Sequence, residues 1–412
     1  IACMHITHLS LTDFRNFSRL DVDVPTGATL LLGDNAQGKT SLLEAIYYLA
    51  AFTSFHANSD RELINFIAGM NPLAVGRIVA DYQRGGKSHR LEVRIIQDKN
   101  GNNGSTRVRK EILLDGAKRK ASEVFGHFNA VLFLPQMLQI IEGPPATRRR
   151  YLDLLLSQTI PNYAAALSTY NKAISQRNAL LKLLSERGGD PGQLIFWDEK
   201  ITLSGAVLME ARIHAIHEIG ALAALTHSEL TRGIEILQLD YHPAYEPLPQ
   251  QPGQLSMGLV SQLDRTGISK SKIIEGFQTA LNEKRAEEIA RGLTTIGPHR
   301  DELRFQANGI DLGTYGSRGQ IRTAILAVKI AEITWMKEKT GHWPVLLLDE
   351  VLAELDPQRR TDLLTRLTQA EQALLTTTDL DLFNDTFTQT AHQWHVHGGT
   401  LQTVRQVSSD KG

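Results

Sequence analysis

The sequence predicts an α/β fold in which both ends of the chain build one domain around a mostly helical insertion. Three stretches carry that expectation. An apolar strand runs into a glycine-bearing loop and then a helix at 28–49. A run of apolar residues ends in two acids at 345–350. Between them, over roughly residues 150–290, the apolar spacing is helical.

The first stretch, Leu30–Leu43, reads LLLGDNAQGKTSLL and fits the G-x-x-x-x-G-K-[ST] phosphate loop. Ala28–Leu32 is a short apolar strand, and Leu42, Leu43, Ile46 and Leu49 share one helical face after Thr40. Gly33 and Gly38 allow the tight turn in which the backbone N–H groups of Asp34, Asn35, Ala36 and Gln37 cradle phosphate oxygens. The helix beginning near Lys39 points its positive end at the same anion. Lys39 is expected to reach the β/γ-phosphates, and the Thr40 hydroxyl to fill one Mg²⁺ position.

The rest of the chain reads in order from this loop. Residues 4–32 are β-rich, with Leu9/Leu11 and Leu20/Val22/Val24 alternating, and further strands are predicted at 74–82 and around Leu91, Val93 and Ile95. Lys99–Thr106 (KNGNNGST) reads as a hairpin tip, Asp115-Gly116 as a turn, and 130–134 (AVLFL) as a buried strand. After Pro144-Pro145 the pattern is helical to Arg187, where Gly188-Gly189 stops it, and again from about 193 to 232. Four prolines mark 243–253 as a loop, and 269–291 is helical to Gly292. β character returns at 294–312 with an Asn308-Gly309 turn, followed by a helix at 318–339 and strands at 345–348 and 373–377. A Gly398-Gly399 hairpin lies near the end. The expected division is therefore 1–150 with 292–412 as one lobe and 151–291 as the inserted helical lobe.

The acids of the second stretch complete the expected site. Asp349, at the carboxyl end of the strand VLLL, would hold Mg²⁺ together with Thr40, making this a Walker B strand. Glu350 would orient or deprotonate the attacking water. Upstream, Tyr315–Gln320 (YGSRGQ) heads the 318–339 helix. Its Ser317, Gly319 and Gln320 resemble the S-G-G-Q of the ATP-binding-cassette signature, a serine cap with glycine-flanked N–H groups that makes an anion site. In cassette ATPases this turn closes on the γ-phosphate held by a partner subunit. Asp356, in the AELD that follows Glu350, lies at D-loop spacing. A glutamine that contacts Mg²⁺ is expected after the 130–134 strand, at Gln136 or Gln139. The order of these elements separates the chain from simple phosphate-loop kinases and GTPases. Where transporter cassettes place a switch histidine, this chain has Thr376-Thr377-Thr378-Asp379.

Composition bounds the partners. The chain has 412 residues, enough for more than one domain, with 42% hydrophobic and 22% charged residues and a net charge of −1. No global basic field announces nucleic acid, so any DNA contact must come from local patches. Candidates are Arg148, Arg149 and Arg150 beside Tyr151, Lys118, Arg119 and Lys120, and Arg107, Arg109 and Lys110. Arg15 and Asn16 resemble the positions at which SMC-like heads approach the nucleotide, with an ordinary turn as the alternative, and His299 and Arg300 are candidates for a structural or interface role. Cys3 is the only cysteine, which excludes an intramolecular disulfide and suits a reducing cytoplasm. No apolar run reaches membrane-spanning length, no secretory leader opens the sequence, and Met4 reads as the natural start. No zinc-spaced His/Cys arrangement is present.

Taken together, LTDFRNF at 11–17, GDNAQGKTSLLEAIYYL at 33–49 and LQIIEGPPATRRRYLD at 138–153 resemble the RecF family. TTIGPHRDELRF at 294–305, LGTYGSRGQIRTAILAVKIAE at 312–332 and VLLLDEVLAELDPQRR at 345–360 extend the resemblance. These bacterial recombinational-repair ATPases are related to SMC-type heads. The resemblance implies an ABC/SMC-head-type P-loop ATPase domain that hydrolyses ATP slowly with Mg²⁺. It implies a homodimer formed on ATP and binding to duplex, single-stranded or gapped DNA. It further implies action with RecO and RecR to place RecA at single-stranded gaps, in replication restart and the SOS response. Lys99–Thr106 and the 243–253 region read as extensions to the family pattern. Two other functions stand beside this one: an SMC-type DNA-end-processing ATPase subunit and a transporter ATPase subunit. The first lacks long heptad arms and a C-x-x-C hook; the second lacks its switch histidine.

Overall fold

The structure is a computed structural model that describes residues 4–99, 106–248 and 263–404. It divides into two compact units, Ile1–Met137 with Met336–Gly412, and Leu138–Trp335. The limits expected at 150/151 and 291/292 both fall inside the second unit. The reason is packing across those limits: the helix Pro145–Thr159 and the strand Glu302–Ala307 belong together, with the Arg148 guanidinium forking Glu302 at 2.6 and 2.8 Å. Cys3, the 100–105 portion of the expected hairpin tip and 249–253 of the proline-rich loop lie outside the described residues.

The first unit holds two six-stranded sheets. One is antiparallel, in the order Phe17–Asp23, Met4–Phe14, Leu73–Arg84, Lys87–Asp98, Arg107–Leu114 and Ala117–Arg119. Leu91, Val93 and Ile95 lie inside and Arg90 outside, but the expected alternation is incomplete: Glu92 is buried, held by Arg77 and the part-exposed Arg94. Asp115 and Gly116 close the last hairpin with φ of 49° and 80°, the primed-turn conformation that Asp-Gly favours.

The other sheet has the order Thr400–Val404, His392–His397, Gly27–Leu32, Gln372–Thr377, Val345–Asp349 and Ala130–Phe133. All but the first are mutually parallel. Gln372–Thr377, Val345–Asp349 and Ala130–Phe133 are buried along their whole length, and 345–348 and Ala130–Phe133 accordingly read as continuous apolar runs. The helix Lys39–Ala51 buries Leu42, Leu43, Ile46, Tyr48 and Leu49 in the core that joins residues of both sheets. Two helices of this unit, Pro357–Leu367 and Asp385–Thr390, were not expected from the sequence.

Among the described residues the second unit holds the long helices Pro145–Thr159, Tyr163–Arg187, Ile195–Thr231 and Lys270–Arg291 and most of the helix Arg318–Thr340. The single helical pattern expected to Arg187 is broken at 160–162, where Pro161 precedes Asn162 at φ 65°. Gly188 (φ 69°) and Gly292 (φ 65°) end two of these helices. A small antiparallel sheet, Ile310–Asp311, Glu302–Ala307 and Leu237–His242, replaces the longer β region expected at 294–312. Leu237, Leu239 and Tyr241 face inward from its edge.

Buried charge fixes this unit. Arg177 has no exposed surface and donates to Asp198 at 2.7 Å, Glu288 at 2.6 Å and Thr294 Oγ1 at 2.9 Å. Arg212 donates to Asp301 and Asp153, both at 2.8 Å, and to the Pro298 carbonyl at 2.6 Å. Tyr241 and the Ala244 N–H also donate to Asp301. The GPHRD stretch is thus an internal fastening, and His299 shares in it. Burial pushes its imidazole down to about 4, and Tyr170 meets Nδ1 at 2.7 Å. Arg212→Ala leaves Asp153 and Asp301 without their counter-charge and should cost about 3–5 kcal/mol, read as a lower urea midpoint.

Candidate nucleotide site

The site in the first unit is assembled by strand register. Asp349 pairs with Thr376 and Thr377 with Leu32, so the carboxyl ends of three neighbouring parallel strands finish side by side. Such ends are where open α/β sheets bind ligands. From Leu32 the chain enters the loop at Gly33, whose φ is 149° and whose hypothetical Cβ would lie 2.4 Å from the Val396 carbonyl oxygen. Only glycine fits there. Gly38 (φ 117°) hands the chain to the helix Lys39–Ala51, and Asp34, Asn35 and Ala36 are exposed at the loop's crest.

The expected side chains do come together. Thr40 Oγ1 donates to the Asp349 carboxylate at 2.9 and 3.0 Å. Lys39 Nζ is almost fully buried, donates to the Gly33 carbonyl at 2.5 Å and lies 3.5 Å from Glu350 Oε1. Glu350 stands in the left-handed region at φ 51°, with its side chain 42% exposed. Asp356 caps the helix Pro357–Leu367 by accepting from the Arg359 N–H at 3.1 Å; that hydrogen bond holds its carboxyl below the usual range.

One contributor, Thr376, was not legible beforehand. Thr376 Oγ1 donates to Asp349 at 2.8 Å and accepts from the Glu350 N–H at 3.0 Å, so one hydroxyl braces both acids. The TTTD strand end, where the sequence shows no switch histidine, was the signal. Gln37 accepts from Gly398 N at its side chain (2.7 Å) and from Gly399 N at its carbonyl (3.1 Å), tying the terminal hairpin to the loop. Asn16 reaches the Ala36 carbonyl at 3.4 Å. Arg15 is taken up by Glu44, at 2.7 and 2.9 Å. Beside the loop opens a cleft of about 990 Å³ whose lining includes Thr40, Ser41, Asn16, Arg61 and Phe66.

Other candidates stand apart from this cluster. Gln136 is exposed on the turn Pro135–Leu138, just past the strand whose Phe133 pairs with Leu348. Gln139 lies in the second unit and its amide contacts Glu142 at 3.5 Å. In that unit Ser317, Arg318 and Gly319 are exposed, and Ser317 and Gln320 form a reciprocal capping box. The Ser317 N–H donates to Gln320 Oε1 at 2.9 Å, and the Gln320 N–H to Ser317 Oγ at 3.2 Å. The turn is therefore open to solvent.

The basic candidates need correction. Arg148 does not face solvent phosphate: it is spent on Glu302 and on the Ile141 and Gly143 carbonyls. Arg149 donates to the Asp301 carbonyl at 2.8 Å. Lys110 sits over the Tyr48 ring, 3.2 Å from Asp60 and 2.5 Å from the Phe52 carbonyl. Arg150, Lys118, Arg119 and Lys120 are exposed, with Lys118 paired to Glu111 at 2.8 Å. Among the described residues no helix is long and apolar enough to cross a membrane.

Known proteins match this chain over nearly its whole length. The family model for the RecF/RecN/SMC N-terminal domain matches residues 5–400. DNA replication and repair protein RecF of Chloroflexus aurantiacus is 40% identical over 409 residues, covering 97% of this chain and 99% of the relative. The RecF of Roseiflexus castenholzii is 40% identical over 414 residues, with the same coverage. The chain's length is thus shared with these relatives rather than extended beyond them. Among solved structures, the recombination mediator protein RecF-ATPrS of the RecFOR pathway superposes with a TM-score of 0.81 at 28% identity, covering 98% of this chain and 99% of that one. The chain belongs to the RecF family of DNA replication and repair proteins, within the family of RecF, RecN and SMC N-terminal domains.

Proposed function

We propose that this chain binds ATP with Mg²⁺ at the loop 33–40, dimerises on it, and in that state holds DNA for repair. The observation that carries the reading is the meeting of Thr40, Asp349, Lys39 and Glu350 at one sheet edge. The hydroxyl and carboxylate of Thr40 and Asp349 are hard oxygen donors that fit Mg²⁺. Bound there, the ion would neutralise charge on the β- and γ-phosphates.

In this reading the loop N–H groups grip the phosphates. Lys39, drawn onto the Gly33 carbonyl in the structure, turns to them when they arrive. Glu350 is exposed enough to meet water and close enough to Lys39 to lie beside the terminal phosphate, so it orients the attacking water. Thr376 keeps both acids in place. The exposed turn at Ser317 serves the nucleotide of a second copy, and Asp356, at D-loop spacing from Glu350, serves the bound nucleotide as well. Gln136, or else Gln139, completes the Mg²⁺ shell.

The relatives' names carry the biological part. A RecF-family member named as a recombination mediator of the RecFOR pathway supports gap repair as this chain's setting, in the cytoplasm, with RecO and RecR as partners and RecA as the recombinase delivered. The DNA would be duplex, single-stranded or gapped, met by exposed cations such as Arg150, Lys118, Arg119 and Lys120. Likeness to replication and repair proteins over nearly the full length supports this reading over a transporter subunit or an end-processing subunit.

Three variants test the reading. Glu350→Gln should bind ATP normally and accumulate an ATP-bound dimer by light scattering, with turnover reduced by about 10²-fold or more. A monomer at saturating ATP would count against it. Ser317→Arg should leave ATP binding intact and abolish the dimer; normal dimers would reduce Ser317 to a helix cap. Lys39→Arg should depress ATP turnover, and unchanged hydrolysis would refute the loop's role.

A further inference from the structure

The signature turn of the second unit is tied, through one carboxylate, to the end of the longest helix in the chain. Gln320 uses its side-chain oxygen to accept from the Ser317 N–H, and its amide nitrogen donates to Glu235 Oε1 at 2.8 Å. The rotamer of Gln320, and with it the Ser317 end of the capping box, is therefore set from Glu235. A glutamine held at only one end would be free to turn about its terminal bonds.

Glu235 is itself placed with care. The helix Ile195–Thr231, about 55 Å long, ends through Arg232 (φ 55°) and Gly233 (φ 78°) in left-handed conformations. The next residues are gripped by Asn308 of the neighbouring hairpin: Asn308 Oδ1 accepts from the Ile236 N–H at 2.9 Å, and Asn308 N donates back to the Ile236 carbonyl at 3.0 Å. Thr231 Oγ1 lies 3.4 Å from the Glu235 N–H. The second carboxylate oxygen of Glu235 lies 3.6 Å from Nε2 of His227, a fully buried imidazole on the same helix. Backbone clamp and helix end thus place a carboxylate with one oxygen facing the signature turn.

We propose that Glu235 is a positioning residue for the signature turn, holding Gln320 and Ser317 in the arrangement that receives a partner copy's terminal phosphate. It thereby makes the helix Ile195–Thr231 a lever on nucleotide-dependent dimerisation. The proposal rests on the ATP-sandwich reading given above. Glu235 touches no nucleotide in it; its effect passes through Gln320. A displacement of the helix end is transmitted to the signature turn because the hydrogen bond is charge-assisted and short.

The test is a double-mutant cycle on the full chain, read by light scattering across protein concentration with ATP and Mg²⁺. Melting temperature and monomer binding of a fluorescent ATP analogue are controls. Glu235→Ala should weaken dimerisation about tenfold, the effect of losing one charge-assisted hydrogen bond, with both controls unchanged. Glu235→Gln keeps an acceptor for the Gln320 amide and should stay within about twofold of the parent. Gln320→Glu sets carboxylate against carboxylate and should weaken dimerisation as Glu235→Ala does. Combining Glu235→Gln with Gln320→Glu restores the bond with donor and acceptor exchanged and should recover dimerisation. If Glu235→Ala dimerises like the parent, or the double variant is no better than Gln320→Glu, the proposal is overturned while the sandwich reading stands. Should Glu235→Ala fail to fold, recovery by the double variant over Gln320→Glu still decides the matter. A parent that stays monomeric at saturating ATP overturns both.

Discussion

The candidate nucleotide site depends on the pairing of Val345–Asp349, Gln372–Thr377 and Gly27–Leu32 as parallel neighbours in one register. Parallel strands cannot be joined by tight turns, so each comes from a distant part of the chain. Slip the register by one residue and Asp349 loses Thr376, while every buried side chain of the strand changes face. The apolar character of these strands therefore does two things. It buries the sheet on both faces, and it forces the polar ends into a single row. Thr40 and Thr376 can then share Asp349 without any loop having to be placed accurately on its own.

The second unit reaches its own order differently. Its helices carry arginines and acids at positions that would be costly to bury singly, and each is matched: Arg177 with Asp198 and Glu288, Arg212 with Asp153 and Asp301. Such groups add little net stability, but removing one partner is expensive. They favour one packing of the helices over its alternatives. Polar pairing thus substitutes here for the register that disciplines the sheet.

What could be read from the residues follows this contrast. The phosphate loop, the Walker strand and the capping serine obey short-range rules, so LLLGDNAQGKTSLL and YGSRGQ announced the local conformation that the structure shows. Charge partners obey no local rule. RRR at 148–150 looks like a surface patch because nothing nearby reveals Glu302, which lies 154 residues further on from Arg148. The same blindness hid Glu44 from Arg15 and Asp60 from Lys110. The strand Leu237–His242 carries little local signal, because its partner Glu302–Ala307 lies far along the chain and its flanks are rich in turn residues. The helix Pro357–Leu367 had its signals, Asp356 as cap and Pro357 at the first turn, but these sat inside a stretch already read for its acids.

One weld at the loop sets a timetable for biosynthesis. Gln37 closes on Gly398, 361 positions later, and Gly33 packs under Val396. At roughly 5–20 residues per second, a ribosome needs about 20–70 s to travel that distance. For that interval the nascent amino-terminal segment carries a glycine loop without its covering hairpin. Emergence of that hairpin, rather than the early appearance of the loop, is what makes this part of the molecule whole.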